Sequence, residues 1–157
     1  MSFRDDLNLA GRLTLQLRAP DGALIREVAA HNDITIHGRN LVARLFNPDQ
    51  VGADIKRVTK IGLGSSQATF DPRQTALGQR VGETPIVRIE PVEIVDTSGR
   101  PRMILRLTGE LGEDDLNAEL REAGLFTADG VMYNRVTFDT ITKSNQFKLT
   151  LVWEITF

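Results

Sequence analysis

The two histidines of the chain lie six residues apart with an acid between them, and they are the first candidates for a catalytic or metal-binding site. His31 and His37 flank Asp33, and imidazole and carboxylate groups serve both as general acids and bases and as zinc ligands. No third ligand or nucleophile accompanies them in the sequence. We therefore interpret the histidines as surface or capping residues close to the beginning of a helix.

A glycine pair follows a short apolar segment and could form a phosphate-binding loop. Gly62 and Gly64 come after Val58 and Ile61, which are typical of a buried strand. No third glycine completes a dinucleotide-binding motif, and no Gly-Lys-Ser/Thr sequence follows. We therefore expect Gly62 and Gly64 to form a tight turn.

A run of three acids, Glu113, Asp114 and Asp115, could bind calcium or supply paired carboxylates. The spacing of these acids matches no calcium-binding loop. We therefore interpret them as part of a solvated connection between strands.

Aromatic and basic side chains supply the remaining candidates. Trp153 and Phe157 could form a platform for a ligand, but they continue an apolar stripe, so we expect them in the core. A second candidate is a basic strip on one strand, and the acids near it predict cross-strand ion pairs instead. The strip contains Arg100, Arg102 and Arg106, and the acids are Glu90, Glu93 and Glu110. The sequence thus predicts no catalytic residue, no cofactor, no metal site and no enzymatic activity.

The composition predicts one folded domain. The chain has 157 residues, 41% hydrophobic and 25% charged, and a net charge of -2 from 19 basic and 21 acidic residues. No block of like charges indicates a nucleic-acid partner. The absence of cysteine fits a reducing compartment. The acidic N-terminus is unlike a signal peptide, and no stretch approaches the eighteen apolar residues of a membrane helix.

Period-two alternation predicts most of the elements that would position these residues. Leu13, Leu15 and Leu17 alternate with polar residues, and a Pro-Asp-Gly turn leads to a second strand. A change to helical spacing predicts one short helix from Ile36 to Phe46, which Asn47-Pro48 ends. Further strands are predicted around residues 58–63, 86–95, 103–107, 120–126, 131–138 and 147–157.

Two of these segments carry specific signals. In residues 86–95 the apolar set changes parity across Pro91, which predicts a bulge or an edge position there. The last strand alternates without interruption from Phe147 to Phe157 and is the clearest strand of the chain. Counting about seven strands, we expect residues 1–157 to form a single antiparallel β-sandwich with one helix at its side. Residues 1–11 would form an extended N-terminal arm.

Several short motifs, taken in order, resemble small structural proteins of tailed bacteriophages and the N-terminal attachment domain of phage tail-collar fibre proteins. The resemblance extends over residues 32–157. In the family, a long repetitive shaft usually follows the attachment domain. No such shaft is found in this sequence, so we do not expect the chain itself to be a fibre. The motifs are Asn32-Asp33-Ile34-Thr35-Ile36-His37-Gly38-Arg39-Asn40-Leu41-Val42-Ala43, Ile61-Gly62-Leu63-Gly64, Thr75-Ala76-Leu77, Glu122-Ala123-Gly124-Leu125-Phe126 with Asp129-Gly130, and the closing residues 149–157.

The resemblance implies a structural subunit of a phage virion or phage-tail-like particle, assembled in the bacterial cytoplasm. Its partners would be other tail, baseplate, collar or capsid subunits, and the chain would itself form a homo-oligomer. Docking would use shape complementarity, strand addition at a sheet edge, and contacts from residues 1–8. Two alternatives remain open at this point. The first is a capsid decoration protein, and the second is a carbohydrate-binding sandwich that would use Tyr133 or Trp153.

Overall fold

The computed structural model describes residues 10–46 and 56–157, which form eight strands and one helix. Most strands coincide with segments in which apolar and polar residues alternate, as expected when one face packs on a core and the other meets solvent. The elements are β1 (Ala10–Arg18), β2 (Leu24–Ile34), α1 (Ile36–Arg44), β3 (Val58–Gly64), β4 (Arg80–Val95), β5 (Pro101–Leu111), β6 (Ala118–Thr127), β7 (Met132–Lys143) and β8 (Lys148–Thr156).

The strands form one closed antiparallel barrel in the order β1-β2-β7-β6-β3-β4-β5-β8. The predicted sandwich of about seven strands is therefore wrong. Closure depends on β8, which pairs with β1 on one side and β5 on the other, and on two residue pairs that join β2 to β7. Alternation in a strand shows which face is buried, but a single curled sheet and two stacked sheets bury the same face.

The inner faces of the strands fill the barrel with side chains. Leu13 lies opposite Trp153, and Leu15 lies opposite Leu151, so these pairs point into the same interior. Trp153 is fully buried, and its indole Nε1 donates a 2.8 Å hydrogen bond to Asn32 Oδ1. The prediction that Trp153 belongs to the core is confirmed.

Helix α1 packs against β7, with Leu41 and Val42 against the main hydrophobic core, and has a well-defined N-terminal cap. Thr35 Oγ1 accepts a hydrogen bond from the Gly38 amide and donates one to the Met132 carbonyl oxygen. Gly38 lies so close to Tyr133 that a Cβ atom would be 2.0 Å from its carbonyl oxygen. The predicted helix is confirmed, although it ends at Arg44 rather than at Phe46. Asn47-Pro48 lies outside the described residues.

The connection between β3 and β4, residues 65–79, folds over the outer face of the barrel. Leu77 from this connection packs with Phe126 and Met132 in a second, small hydrophobic cluster. The space for this layer exists because Gly62, inside β3, has no side chain: a Cβ atom there would be 2.6 Å from the Phe126 ring. The predicted tight turn at Gly62 and Gly64 is therefore wrong, since both are strand residues.

The strand pairing defines two ends of the barrel. At one end Ala10 pairs with Thr156, and Thr156 pairs with Ile104; at the other end Arg18 pairs with Lys148 and Leu24. Ala10 and Gly11, which were predicted to belong to the arm, are strand residues of β1. The proposed contacts of residues 1–8 lie outside the described residues.

Candidate functional site

The most unusual polar contact of the protein is a fully buried ion pair on the outer face of the barrel. Glu122 on β6 and Arg135 on β7 are 2.7 Å apart, measured from Oε2 to Nε, and neither side chain is exposed to solvent. Both lie on strand positions that would normally face water. They are buried because residues 65–79 cover them.

The Glu122 carboxylate holds that covering connection in place. It accepts hydrogen bonds from three backbone amides, those of Ser66, Gly78 and Gln79. Arg135 adds a fourth attachment, because its Nη1 donates to the Ala68 carbonyl oxygen at 2.8 Å. These contacts satisfy the buried carboxylate with partners from the connection and from Arg135. We therefore assign the pair a structural role.

A buried lysine explains the acidic run that the sequence offered as a calcium or catalytic site. Lys143 Nζ donates to the Glu113 carbonyl oxygen, to Asn117 Oδ1 and to the Ser144 carbonyl oxygen at 3.0–3.1 Å. Burial lowers the pKa of Lys143, while the carboxylates of the acidic run, Asp115 most strongly, act in the opposite direction. The run provides counter-charge to a structural lysine, which sequence spacing alone does not reveal.

The other candidates are dispersed. His31 and Asp33 are exposed on β2, and His37 is exposed on α1. Within residues 10–46 and 56–157, no group of three or more His, Cys, Asp or Glu side chains is placed to hold a metal ion. No helix in this part of the chain is long and apolar enough to cross a membrane.

The predicted basic strip takes part in ion pairs, but with acids other than those expected. Arg102 pairs with Asp96, and Arg106 pairs with Glu154, each at 3.1 Å. Arg106 also lies directly opposite Glu90 in the β4–β5 register. A cross-strand ion pair is thus present for Arg106, whereas Arg102 pairs with Asp96 in the turn that follows β4. The partner on β8 follows from the pairing of β8 with β5, which the sequence pattern does not give.

The feature that can contact a partner is the β4–β5 hairpin, which extends beyond the barrel. β3 pairs with β4 only as far as Pro85, whereas β4 and β5 remain paired to Val95 and Pro101. Among the described residues, positions 86–95 of β4 therefore have one strand neighbour, β5. The predicted edge position of Pro91 is confirmed, and the register shift lies between Ile86 and Arg88 rather than at Pro91.

One face of this hairpin continues the apolar interior of the barrel into solvent. Residues directly opposite each other in the register share a face, and Leu107 on this face still packs inside the barrel. Farther out, the same face is apolar but uncovered, with 43–70% of each large hydrophobic side chain exposed. We call this face the hairpin surface; it consists of Ile89, Pro91, Glu93, Val95, Met103 and Phe157.

Phe157 belongs to the hairpin surface because its amide donates to the Met103 carbonyl oxygen at 2.8 Å. The expectation that Phe157 lies in the core is therefore wrong. The alternating residues from Leu149 to Ile155 are buried inside the barrel, whereas Phe157 lies beyond the end of β8 and is exposed. Periodicity identifies the face of a strand, but not the point at which its neighbours stop covering that face.

The tip of the hairpin is a turn held by hydrogen bonds to the side chain of Asp96. Asp96 Oδ1 accepts hydrogen bonds from the Ser98 hydroxyl, the Ser98 amide and the Arg100 amide, and Gly99 supplies the positive φ of 80° that the turn requires. These hydrogen bonds, the one to the Ser98 hydroxyl first, hold the pKa of Asp96 well below its usual range. The turn thus joins β4 to β5 through hydrogen bonds that Ser98 and Arg100 donate to Asp96.

Comparisons with known proteins add no identification. No protein-family model, no curated protein and no solved structure gives a significant match to this chain. The resemblance to phage structural proteins rests on the ordered sequence motifs and stays a prediction.

Proposed function

We propose that this protein is a structural subunit of a phage virion or phage-tail-like particle, and that it docks to neighbouring protein subunits through the hairpin surface. The exposed apolar face of the β4–β5 hairpin is the observation that carries this proposal. The ordered motifs that resemble phage structural proteins give the class of particle.

The hairpin surface brings several exposed apolar side chains together on one face. Ile89, Val95, Met103 and Phe157 lie on one side of the projecting strands. Single exposed apolar side chains are common, but a contiguous group marks an interaction site. Burying apolar surface contributes about 25 cal/mol for each Å² removed from water. Burial of these side chains against a partner would therefore stabilise the complex.

The face of the hairpin is a better docking element than its edge. An added strand would need the free backbone groups of residues 86–95, and Pro91 in their centre has no amide hydrogen. Proline on an edge strand protects against strand addition. The proposed mechanism is therefore packing of side chains on the hairpin surface, and strand addition at the edge, which the sequence led us to expect, is disfavoured.

The carbohydrate-binding alternative loses its proposed platform. Trp153 is fully buried and Tyr133 is 6% exposed, so neither ring is available to stack on a sugar. Burial also raises the pKa of Tyr133.

The test uses particles isolated from the cells that produce this protein. We expect the wild-type chain to sediment with phage or tail-like particles in a density gradient and Met103→Asp to remain at the top of the gradient. Val81→Asp is the matched control, because Val81 is similarly exposed but lies on the part of β4, the strand paired with β5, that belongs to the barrel. Absence of the wild-type chain from the particles, or equal incorporation of both variants, would overturn the proposal.

A further inference from the structure

Met103 carries an oxidisable sulfur atom on an exposed side chain. The chain has three methionines and no cysteine. Met103 is 43% exposed, whereas Met132 is 1% exposed, and Met1 lies outside the described residues. In the part of the chain that the structure describes, Met103 is therefore the one sulfur-containing side chain that a dissolved oxidant can readily reach.

Met103 also lies on the middle strand of the hairpin surface. On one side it is directly opposite Glu93 of β4, and on the other side its carbonyl oxygen accepts from the Phe157 amide. The exposed side chains of Ile89 and Val95 lie on the same face. A change of polarity at Met103 would therefore alter the hairpin surface at its centre.

We propose that hydrogen peroxide oxidises Met103 in the free subunit, and that the resulting sulfoxide prevents docking through the hairpin surface. The inference rests on the proposed function, because it names a regulation of the same docking surface.

The oxidation is a two-electron oxygen transfer. The thioether sulfur attacks one oxygen of the peroxide, so that an S–O bond forms while the O–O bond breaks. Sulfur loses two electrons, and the other peroxide oxygen leaves as water after proton transfer. Methionine sulfoxide reductases reverse the change, since a thiol supplies two electrons and the oxygen leaves as water. Met103 can thus pass between an apolar and a polar state.

The sulfoxide opposes docking because of its position. A thioether is apolar and flexible, which suits it to packing against a partner, whereas a covered sulfoxide oxygen loses its hydrogen bonds to water. Glu93, directly opposite, is also only an acceptor when ionised and forms no ion pair within the described residues. Neither group offers the other a hydrogen-bond donor.

Docking and oxidation therefore exclude each other. A partner seated on the hairpin surface covers Met103 and keeps peroxide away from it, and a sulfoxide at Met103 disfavours the partner. Oxidation thus acts on subunits that have not yet been assembled, and assembled subunits are protected.

The experiment uses the purified chain and particles isolated from cells that lack it. Treatment with hydrogen peroxide should add one oxygen to Met103 and none to Met132, as located by peptide mass spectrometry. In a sedimentation assay, the oxidised chain should bind the particles at least about tenfold more weakly than the untreated chain. Incubation with dithiothreitol and the two reductases, one for each sulfoxide epimer, should restore binding.

Two variants separate the effect of Met103 from oxidation elsewhere. Met103→Leu stays apolar and close in size, so it should bind like the untreated wild type and remain insensitive to peroxide, although it keeps Met1 and Met132. Met103→Gln places a polar amide at the same position and should bind weakly without any oxidant. The emission of Trp153, the single tryptophan, verifies that each sample is folded.

Three outcomes would overturn the inference: no oxidation of Met103 under conditions that oxidise free methionine, equal binding of the oxidised and untreated chains, or an equal loss of binding in peroxide-treated Met103→Leu. In each of them the untreated chain still binds the particles, so the proposed function stands. An untreated chain that does not bind would contradict the proposed function, and regulation of its docking would fail with it.

Discussion

Glu122 and Arg135 form an ion pair with no solvent exposure at either side chain, and the pair attaches a fifteen-residue connection (65–79) to the outside of the barrel. The Glu122 carboxylate accepts from Arg135 and from three backbone amides at once. A connection that would otherwise be a solvated loop becomes a second layer over β3, β6 and β7.

Replacing Arg135 with Met should destabilise the protein strongly, because it leaves the Glu122 charge buried without its counter-ion. Loss of one partner of a buried pair costs about 3–5 kcal/mol. Arg121→Met is the matched control on β6, since its pair with Glu119 is exposed and such pairs contribute at most about 1 kcal/mol. Urea unfolding followed by Trp153 fluorescence measures both variants, and equal midpoints would contradict the expectation.

Replacing both partners with Met should not restore stability. Buried ion pairs can often be exchanged for apolar residues without loss, but here the amides of Ser66, Gly78 and Gln79 would lose their acceptor. Each unsatisfied buried donor costs about 1–3 kcal/mol. A double variant as stable as the wild type in the same urea experiment would show that these amides find water or other partners.

Gly64 should tolerate no side chain. A Cβ atom there would lie 2.4 Å from Glu122 Oε1 and 2.5 Å from the Gln79 carbonyl oxygen, so Gly64→Ala must displace the connection that Glu122 holds. We expect a loss of about 1–3 kcal/mol and faster amide hydrogen exchange at Gly78 and Gln79. In Gly112→Ala, the control, the nearest atom would be a side-chain oxygen at 3.2 Å; equal effects of the two substitutions would argue against the close packing.

Acid should weaken the hairpin tip. The pKa of Asp96 is lower in the folded protein than in the unfolded chain, so its stabilising contribution is complete above about pH 4, the unfolded value, and decreases as the pH falls below that value. NMR titration of the Asp96 carboxyl should give a midpoint below pH 3.8, the ordinary value. Asp96→Asn should remove this pH dependence of amide exchange at Ser98 and Arg100. An unshifted midpoint would contradict the hydrogen bonding of the turn.

The strands and the helix could be predicted from the sequence because each depends on local spacing. The alternation from Leu149 to Ile155 marks the buried face of β8, and Thr35 and Gly38 begin α1 within the segment of helical spacing. Closure of the barrel could not be predicted, since it depends on pairing β8 with β1 and β5, which are distant in sequence.

The candidate site could be predicted only in part. Pro91 indicated an edge position, and β4 is an edge beyond Pro85 among the described residues. The exposure of Met103 and Phe157 could not be predicted. Each continues the apolar alternation of its own strand, β5 for Met103 and β8 for Phe157, and this alternation is the same for buried and for exposed members. The same limit applies to Glu122 and Arg135, which lie at outward positions and are buried by a connection whose path is not encoded in strand periodicity.

The most direct test of docking through the hairpin surface is hydroxyl-radical footprinting of Met103 with mass spectrometry, in intact particles and in the isolated chain at concentrations where it is monomeric. Met132, which is 1% exposed, is the internal control and should stay unreactive in both samples. We expect Met103 to react readily in the monomer and to be protected about tenfold or more in the particle, as for a side chain at the centre of a buried interface. Equal reactivity of Met103 in the two samples would contradict docking through this surface.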